Sequence, residues 1–209
     1  MFHFRSLAMG ALVAALSAPA FSTTVELATS QADAAYGQWQ SFNISDLDAQ
    51  SMGVEWIDNA NTLSPSFGTP LLFSFTIDAG QFGELTVVDA GFAGDTFRVT
   101  NAGLLLGATS AVTFRTYADI EANSALDAGT DFDAALASSS FSRGVHVLQA
   151  GSYRVTGALL QSVGFDDVTP LNSTVGGIRL TVSPVPEPAS AAMMFAGLAL
   201  FSAIARRRS

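Results

Sequence analysis

The sequence predicts an all-β protein, an antiparallel β-sandwich or jelly roll with one short helix. Three observations carry that expectation. Apolar residues recur with period two, the alternating segments are short and bounded by Gly and Asn turns, and only one brief stretch carries a helix-capping pattern. No repeat of solenoid length competes with this architecture.

Taken in order, Gln38 to Ile44 is the first firm strand, with Trp39, Ser41 and Asn43 opposite Gln40, Phe42 and Ile44. Phe73, Phe75 and Ile77 alternate with Ser74, Thr76 and Asp78, and Phe97 and Val99 alternate with Arg98 and Thr100. Leu85 to Val88 and Leu104 to Leu106 are shorter and more uniformly apolar, while Val112 to Tyr117, Val145 to Leu148 and Tyr153 to Gly157 repeat the alternation. Ile178, Leu180 and Val182 close the series. Between them, Asp78-Ala79-Gly80, Gly94-Asp95, Asn101-Ala102-Gly103 and Ala150-Gly151 supply residues that tolerate the positive φ of tight hairpins. Asp131 to Ser138 is the helical stretch, capped by Asp131 or Asp133. The alternation predicts Phe73, Phe75, Phe97, Val99, Phe114, Val147, Val155, Ile178 and Leu180 inside, and Arg98, Arg115, Arg154 and Arg179 on the opposite faces.

Both ends of the chain differ from this middle. Met1 to Ala20 has a positive start in Arg5, an apolar run from Leu7 to Leu16 and a small-residue site at Ala18-Pro19-Ala20, the layout of a secretory signal peptide. At the other end, residues 185–209 begin with Val185 and the rigid step Pro186-Glu187-Pro188. They continue through an uncharged run from Ala189 to Ala205 and stop in Arg206, Arg207 and Arg208. As a helix, that run would reach about 25 Å at about 1.5 Å per residue, near the short limit for a transmembrane span. The arginines place Ser209 on the cytoplasmic side, so the segment 23–184 is expected to be exported as one domain.

Of the 18 acidic residues only Glu187 lies outside that segment, and of the nine basic ones Arg5 and Arg206–Arg208 do, which leaves 17 acids against five arginines. Such a surface excludes nucleic acid as a partner. The absence of cysteine removes thiol nucleophiles and Cys-based metal sites, and the absence of lysine removes Schiff-base and P-loop chemistry.

The order Pro186, Glu187, Pro188, apolar run and Arg206 to Arg208 resembles the PEP-CTERM sorting signal of Gram-negative bacteria. The resemblance implies that a membrane-embedded exosortase recognises and processes the tail. It also implies transient anchoring in the inner membrane, then a place at the cell surface or outside it, in association with exopolysaccharide and biofilm. A second resemblance covers Leu85 to Ser110 and Asp131 to Gly157. Asp89, Phe92, Gly94, Asp95, Phe97 and Val99, then Phe141, Ser142, Gly144, Leu148, Ala150 and Gly151, are similar to a family of secreted bacterial and fungal domains; Tyr153 stands where histidine or threonine is common. That likeness implies a β-sandwich and lends no catalytic residue.

Candidates for chemistry are few. His146, the one histidine outside the signal segment, is expected to point outward between Val145 and Val147, with no nucleophile motif to accompany it. The acids Asp46 with Asp48, and Asp166 with Asp167, sit in polar loops and read as solvated turns. Asp127, Asp131 and Asp133 put three carboxylates on a glycine-containing loop, the hard-oxygen set that calcium prefers, but without EF-hand spacing; capping and turn formation explain the same residues without a cofactor. Tyr36, Trp39 and Trp56 could stack on sugar rings or pack into the core.

These features predict a noncatalytic surface or matrix protein that binds polysaccharide or cations. The alternative is an extracellular, glycosidase-like hydrolase using paired carboxylates. A cleft lined by two acids and flanked by aromatics would favour the alternative.

Overall fold

The computed structural model describes residues 23–44, 56–58, 63–65, 67–171 and 174–185. The signal segment, Asp46, Asp48 and residues 186–209 lie outside them. The described residues form ten strands: β1 (Thr23–Glu26), β2 (Gln40–Ile44), β3 (Leu71–Ile77), β4 (Gln81–Phe92), β5 (Thr96–Asn101), β6 (Leu104–Ala108), β7 (Asp127–Gly129), β8 (Arg143–Leu148), β9 (Gly151–Gln161) and β10 (Thr174–Pro184). One sheet has the order β1-β3-β9-β5-β6; the other has the order β2-β10-β4-β7, with β8 also paired to β4. The chain is thus mostly β, in two sheets. The edge pair β1 and β3 runs parallel, against the antiparallel expectation, with Val25 opposite Phe73.

The inward faces of the two sheets meet in one apolar core. Phe73, Phe75, Phe97, Val99, Val155 and Leu159 come from the first sheet, and Phe42, Ile44, Leu85, Val87, Ile178 and Leu180 from the second. Its centre is aromatic: Trp56 stacks on Phe42 with centroids 3.8 Å apart, and Phe97 meets both rings edge-on. These rings lie so close to the opposing strands that Gly157, against Trp56, and Gly176, against Phe42, have no room for a Cβ.

The outer face of the second sheet is covered by short helices. α1 (Tyr117–Ala122) and α2 (Phe132–Ala137) are joined through a 3-10 turn at Ser124–Leu126 and β7. Ile120, Leu126, Phe132 and Ala135 bury Val88, Ala90 and Ala93 in a second apolar cluster. Asp131 caps α2 by accepting from the Ala134 amide at 3.0 Å, as expected. The strand expected at Val112 to Tyr117 is not formed, and α1 begins at its last residue. There Thr116 and Asp119 form a capping box that starts a helix at Tyr117, and the preceding residues are irregular.

Two expected core residues are therefore outside. Phe114 is 44% exposed because it belongs to no strand. Val147 is 63% exposed because the phase of β8 is the reverse of that expected, burying Leu148 and turning Val145 and Val147 outward. The other seven named core residues are buried. Arg98 and Arg154 are exposed and Arg179 half-buried, while Arg115 lies in the irregular stretch.

Candidate functional site

Two places concentrate unusual geometry, one at each end of β4. At its far end, Asp89 is fully buried and Asp95 is 2% exposed. One oxygen of Asp89, Oδ2, accepts from the backbone amides of Gly94 and Asp95 at 3.1 and 3.2 Å, closing the connection from β4 to β5. Asp95 Oδ1 accepts from the Val163 amide at 2.6 Å, tying the end of β9 to the same turn. Beside them the Asp89 amide donates to the Ser142 carbonyl, the Ser142 hydroxyl to Thr109 Oγ1 at 2.9 Å, and the Phe97 amide to that same Thr109 oxygen at 2.9 Å. Residues from both halves of the second resemblance thus converge on one buried knot.

Burial, then the neighbouring Asp95, raises the Asp89 carboxyl well above the usual carboxylate range. Burial also pushes Asp95 up to about 8, against the opposing pull of the Val163 amide. At neutral pH the pair retains a proton. Next to it, Gly91, Phe92, Asp95, Asp127, Val163 and Thr174 line a cavity of about 210 Å³, and the Thr174 hydroxyl is buried without a partner among the described residues.

The other sequence candidates are dispersed. Asp127 Oδ1 accepts from the Gly129 amide at 2.9 Å, and Asp131 caps α2. Asp133 Oδ1 accepts from Trp39 Nε1 and from Arg179 Nη1, each at 3.0 Å, with the Arg179 guanidinium 4.2 Å above the Trp39 ring. Each member of the proposed calcium loop therefore has a local partner. Among the described residues no three acidic or histidine side chains converge to hold a metal ion. Asp166 and Asp167 do line a cleft of about 280 Å³ beside Phe114. Asp166 Oδ1 there accepts from the amides of Val168 and Thr169, which holds its carboxyl below the usual range, the opposite of what a general acid needs.

His146 corrects a further expectation: the reversed phase of β8 turns it inward. Its ring lies against Gly107 and Gly144, closing the gap between edge strands β6 and β8, and burial lowers its pKa. The three aromatics also separate. Trp56 is in the core, Trp39 holds α2, and Tyr36 grips β10, its hydroxyl donating to the Val182 carbonyl at 2.7 Å and accepting from the Val182 amide at 2.8 Å.

At the near end of β4 lie the last described residues of the chain. β10 pairs with β4 as far as Pro184 opposite Gln81, and the Val185 amide donates to the Gly80 carbonyl at 2.8 Å. Pro186 follows at once in the sequence, so no linker separates the end of β10 and Val185 from the Pro-Glu-Pro step. Four residue steps from Val185 to Ala189 can reach at most about 14 Å.

A mostly-β domain passing directly into such a tail defines an exported protein delivered by its C-terminus. Residues 184–209 match the PEP-CTERM protein-sorting motif, and the chain carries the tail of an exosortase substrate. Pro186, Glu187, Pro188, Arg206, Arg207 and Arg208, which carry the motif, lie outside the described residues. None of the curated proteins is significantly similar to the chain. Among solved structures, one with similarity is the crystal structure of Aeromonas hydrophila PliG, a periplasmic lysozyme inhibitor of g-type lysozyme. It is 9% identical with a TM-score of 0.35, over 78% of this chain and 97% of that one. Among the described residues no helix is long and apolar enough to cross a membrane.

Proposed function

We propose that the chain is a noncatalytic surface or matrix protein: a β-sandwich exported behind a signal peptide, held briefly in the inner membrane by residues 189–205 and released by exosortase into association with exopolysaccharide. The observation that carries this reading is the direct passage of β10, paired to Pro184, into the sorting motif. Delivery then brings a folded domain, not a flexible tether, to the membrane face where the tail is processed. Its noncatalytic character is supported by what the acids do: the carboxyls with raised pKa organise a turn, and Asp119 and Asp166 are held ionised by backbone amides.

The hydrolase reading has two arrangements in its favour: Asp95 and Asp127 beside Phe92 in the wall of one cavity, and Glu121 and Asp127 beside Phe92 and Tyr117 in another. The first, about 210 Å³, is below the roughly 300 Å³ at which small-molecule sites begin, and Asp95 is almost closed to solvent; the second is about 380 Å³, with Glu121 and Asp127 both exposed to solvent. Fractionation of the native host and a hydrolysis panel test both readings. We expect the protein in the surface and polysaccharide fraction, with no turnover of polysaccharides, esters or peptides above blank. Hydrolysis abolished by Asp95→Asn, Asp127→Asn or Glu121→Gln in a folded variant would establish the hydrolase instead.

A further inference from the structure

The outward face of the first sheet carries a groove of about 540 Å³ that no motif in the sequence singled out. It lies over β5 and β9 beside the β5–β6 hairpin, with Arg98, Thr100, Leu105, Thr156 and Ala158 among its lining residues. Three further cavities among the described residues have acids in their walls: Asp166 and Asp167, Asp95 and Asp127, and Glu121 and Asp127. This groove has none, although acids outnumber arginines 17 to five in the segment 23–184. Its one charge is Arg98, which is exposed and has no carboxylate partner among the described residues.

Register places a second cation in line with the first. Arg98 is opposite Ala158, and Thr100 is opposite Thr156. Residues 154, 156 and 158 of β9 share that outward face, so exposed Arg154 continues the row about 14 Å from Arg98, from four residues along a strand and one strand across. Glu26, on the edge strand β1, is two strands away from β9 and outside the groove.

The floor of the groove favours a hydroxylated ligand. The Thr156 hydroxyl donates to the Leu71 carbonyl at 2.9 Å and the Thr100 hydroxyl to the Thr156 carbonyl at 3.3 Å, which leaves the lone pairs of both to accept from a ligand. Leu105, 68% exposed, offers an apolar wall to the C–H face of a sugar ring. A guanidinium pairs with a carboxylate through two parallel hydrogen bonds, so the charge selects an acidic sugar over a neutral one.

We propose that this groove binds an extended anionic polysaccharide of the polyuronate class, with Arg98 and Arg154 engaging carboxylates on successive parts of the chain. The inference rests on the matrix reading above and supplies its ligand class. The test uses protein recovered from the exported fraction of its native host, with polygalacturonate, neutral dextran and polyphosphate of matched length as probes.

Polygalacturonate should bind, more weakly as salt rises, and dextran should not. Arg98→Gln and Arg154→Gln should each weaken binding on the order of tenfold with unchanged unfolding midpoints, whereas Arg143→Gln, on β8 of the other sheet where Arg143 donates to the Leu136 carbonyl, should leave binding unchanged. Failure of the wild-type protein to bind polygalacturonate would overturn the proposal, as would equal retention of dextran or polyphosphate or unchanged binding by both groove variants. If the protein still fractionates with the matrix in those cases, the matrix reading survives and only the groove assignment falls.

Discussion

The two ends of β4 hold the chain in different ways. Near its far end, at Asp89, the strand meets a buried network that joins β4, β5, the end of β9 and the approach to β8 through side chains. At Gln81 it holds Ser183 and Pro184 through the strand pairing, beyond the Tyr36 hydroxyl that grips Val182, and Ser183, Pro184 and Val185 are exposed. Undoing the first end requires buried polar groups to lose their partners, whereas undoing the second returns exposed backbone groups to water. A protein that must keep its fold while surrendering its tail is served by that asymmetry.

The largest effect should come from the core that both ends share. Phe97→Ala removes a fully buried ring touching Phe42 and Trp56, and should cost about 3–5 kcal/mol in denaturant unfolding. Next is the pH response of the knot. Asp95 has a folded pKa of about 8 against about 4 unfolded, so the folded state binds the extra proton. Its penalty is absent below about pH 4 and grows as pH rises toward 8, at up to about 1.4 kcal/mol per pH unit for one proton. Asp95→Asn should flatten that part of the stability profile. Asp119 and Asp166 act in the opposite sense, their contribution being lost only as pH falls into the carboxylate range.

Ser142→Ala should cost about 1–3 kcal/mol, because its buried hydroxyl bonds Thr109 and closes the same knot. At the other end, a Gly-Ser linker placed between Val185 and Pro186 should change stability by less than about 0.5 kcal/mol. Hydrogen exchange would sharpen the contrast. The Gly94 and Val163 amides should exchange only on global opening, and the Val185 amide much faster through local fraying; equal protection would remove the distinction.

The strands and the sorting tail were legible because each depends on local pattern. Period-two alternation fixed β3, β5 and β10, and the tail is recognised from contiguous residues. Where the pattern was weakest it misled: Val145-His146-Val147 is apolar on both sides of the histidine, and phase was set by Leu148 and by the glycines at 107 and 144 that receive the ring. Likewise Val112 to Tyr117 alternates like a strand, yet the Thr116–Asp119 box, readable in hindsight, starts a helix. The knot was visible only as matched residues, since the partners of Asp95 and Asp89 at Val163 and Ser142 are 68 and 53 positions away. The arginine groove left no linear signal at all, because strand register brings its parts together.

The central claim is that this domain is delivered by a tail that is then removed, and intact mass of the protein isolated from its native host tests it most directly. The account predicts a mature chain that begins near Phe21 and ends before the apolar run at Ala189. A surface protein that retains Ser209 at its C-terminus, in a host with an active exosortase, would contradict it and leave residues 189–205 as a permanent anchor.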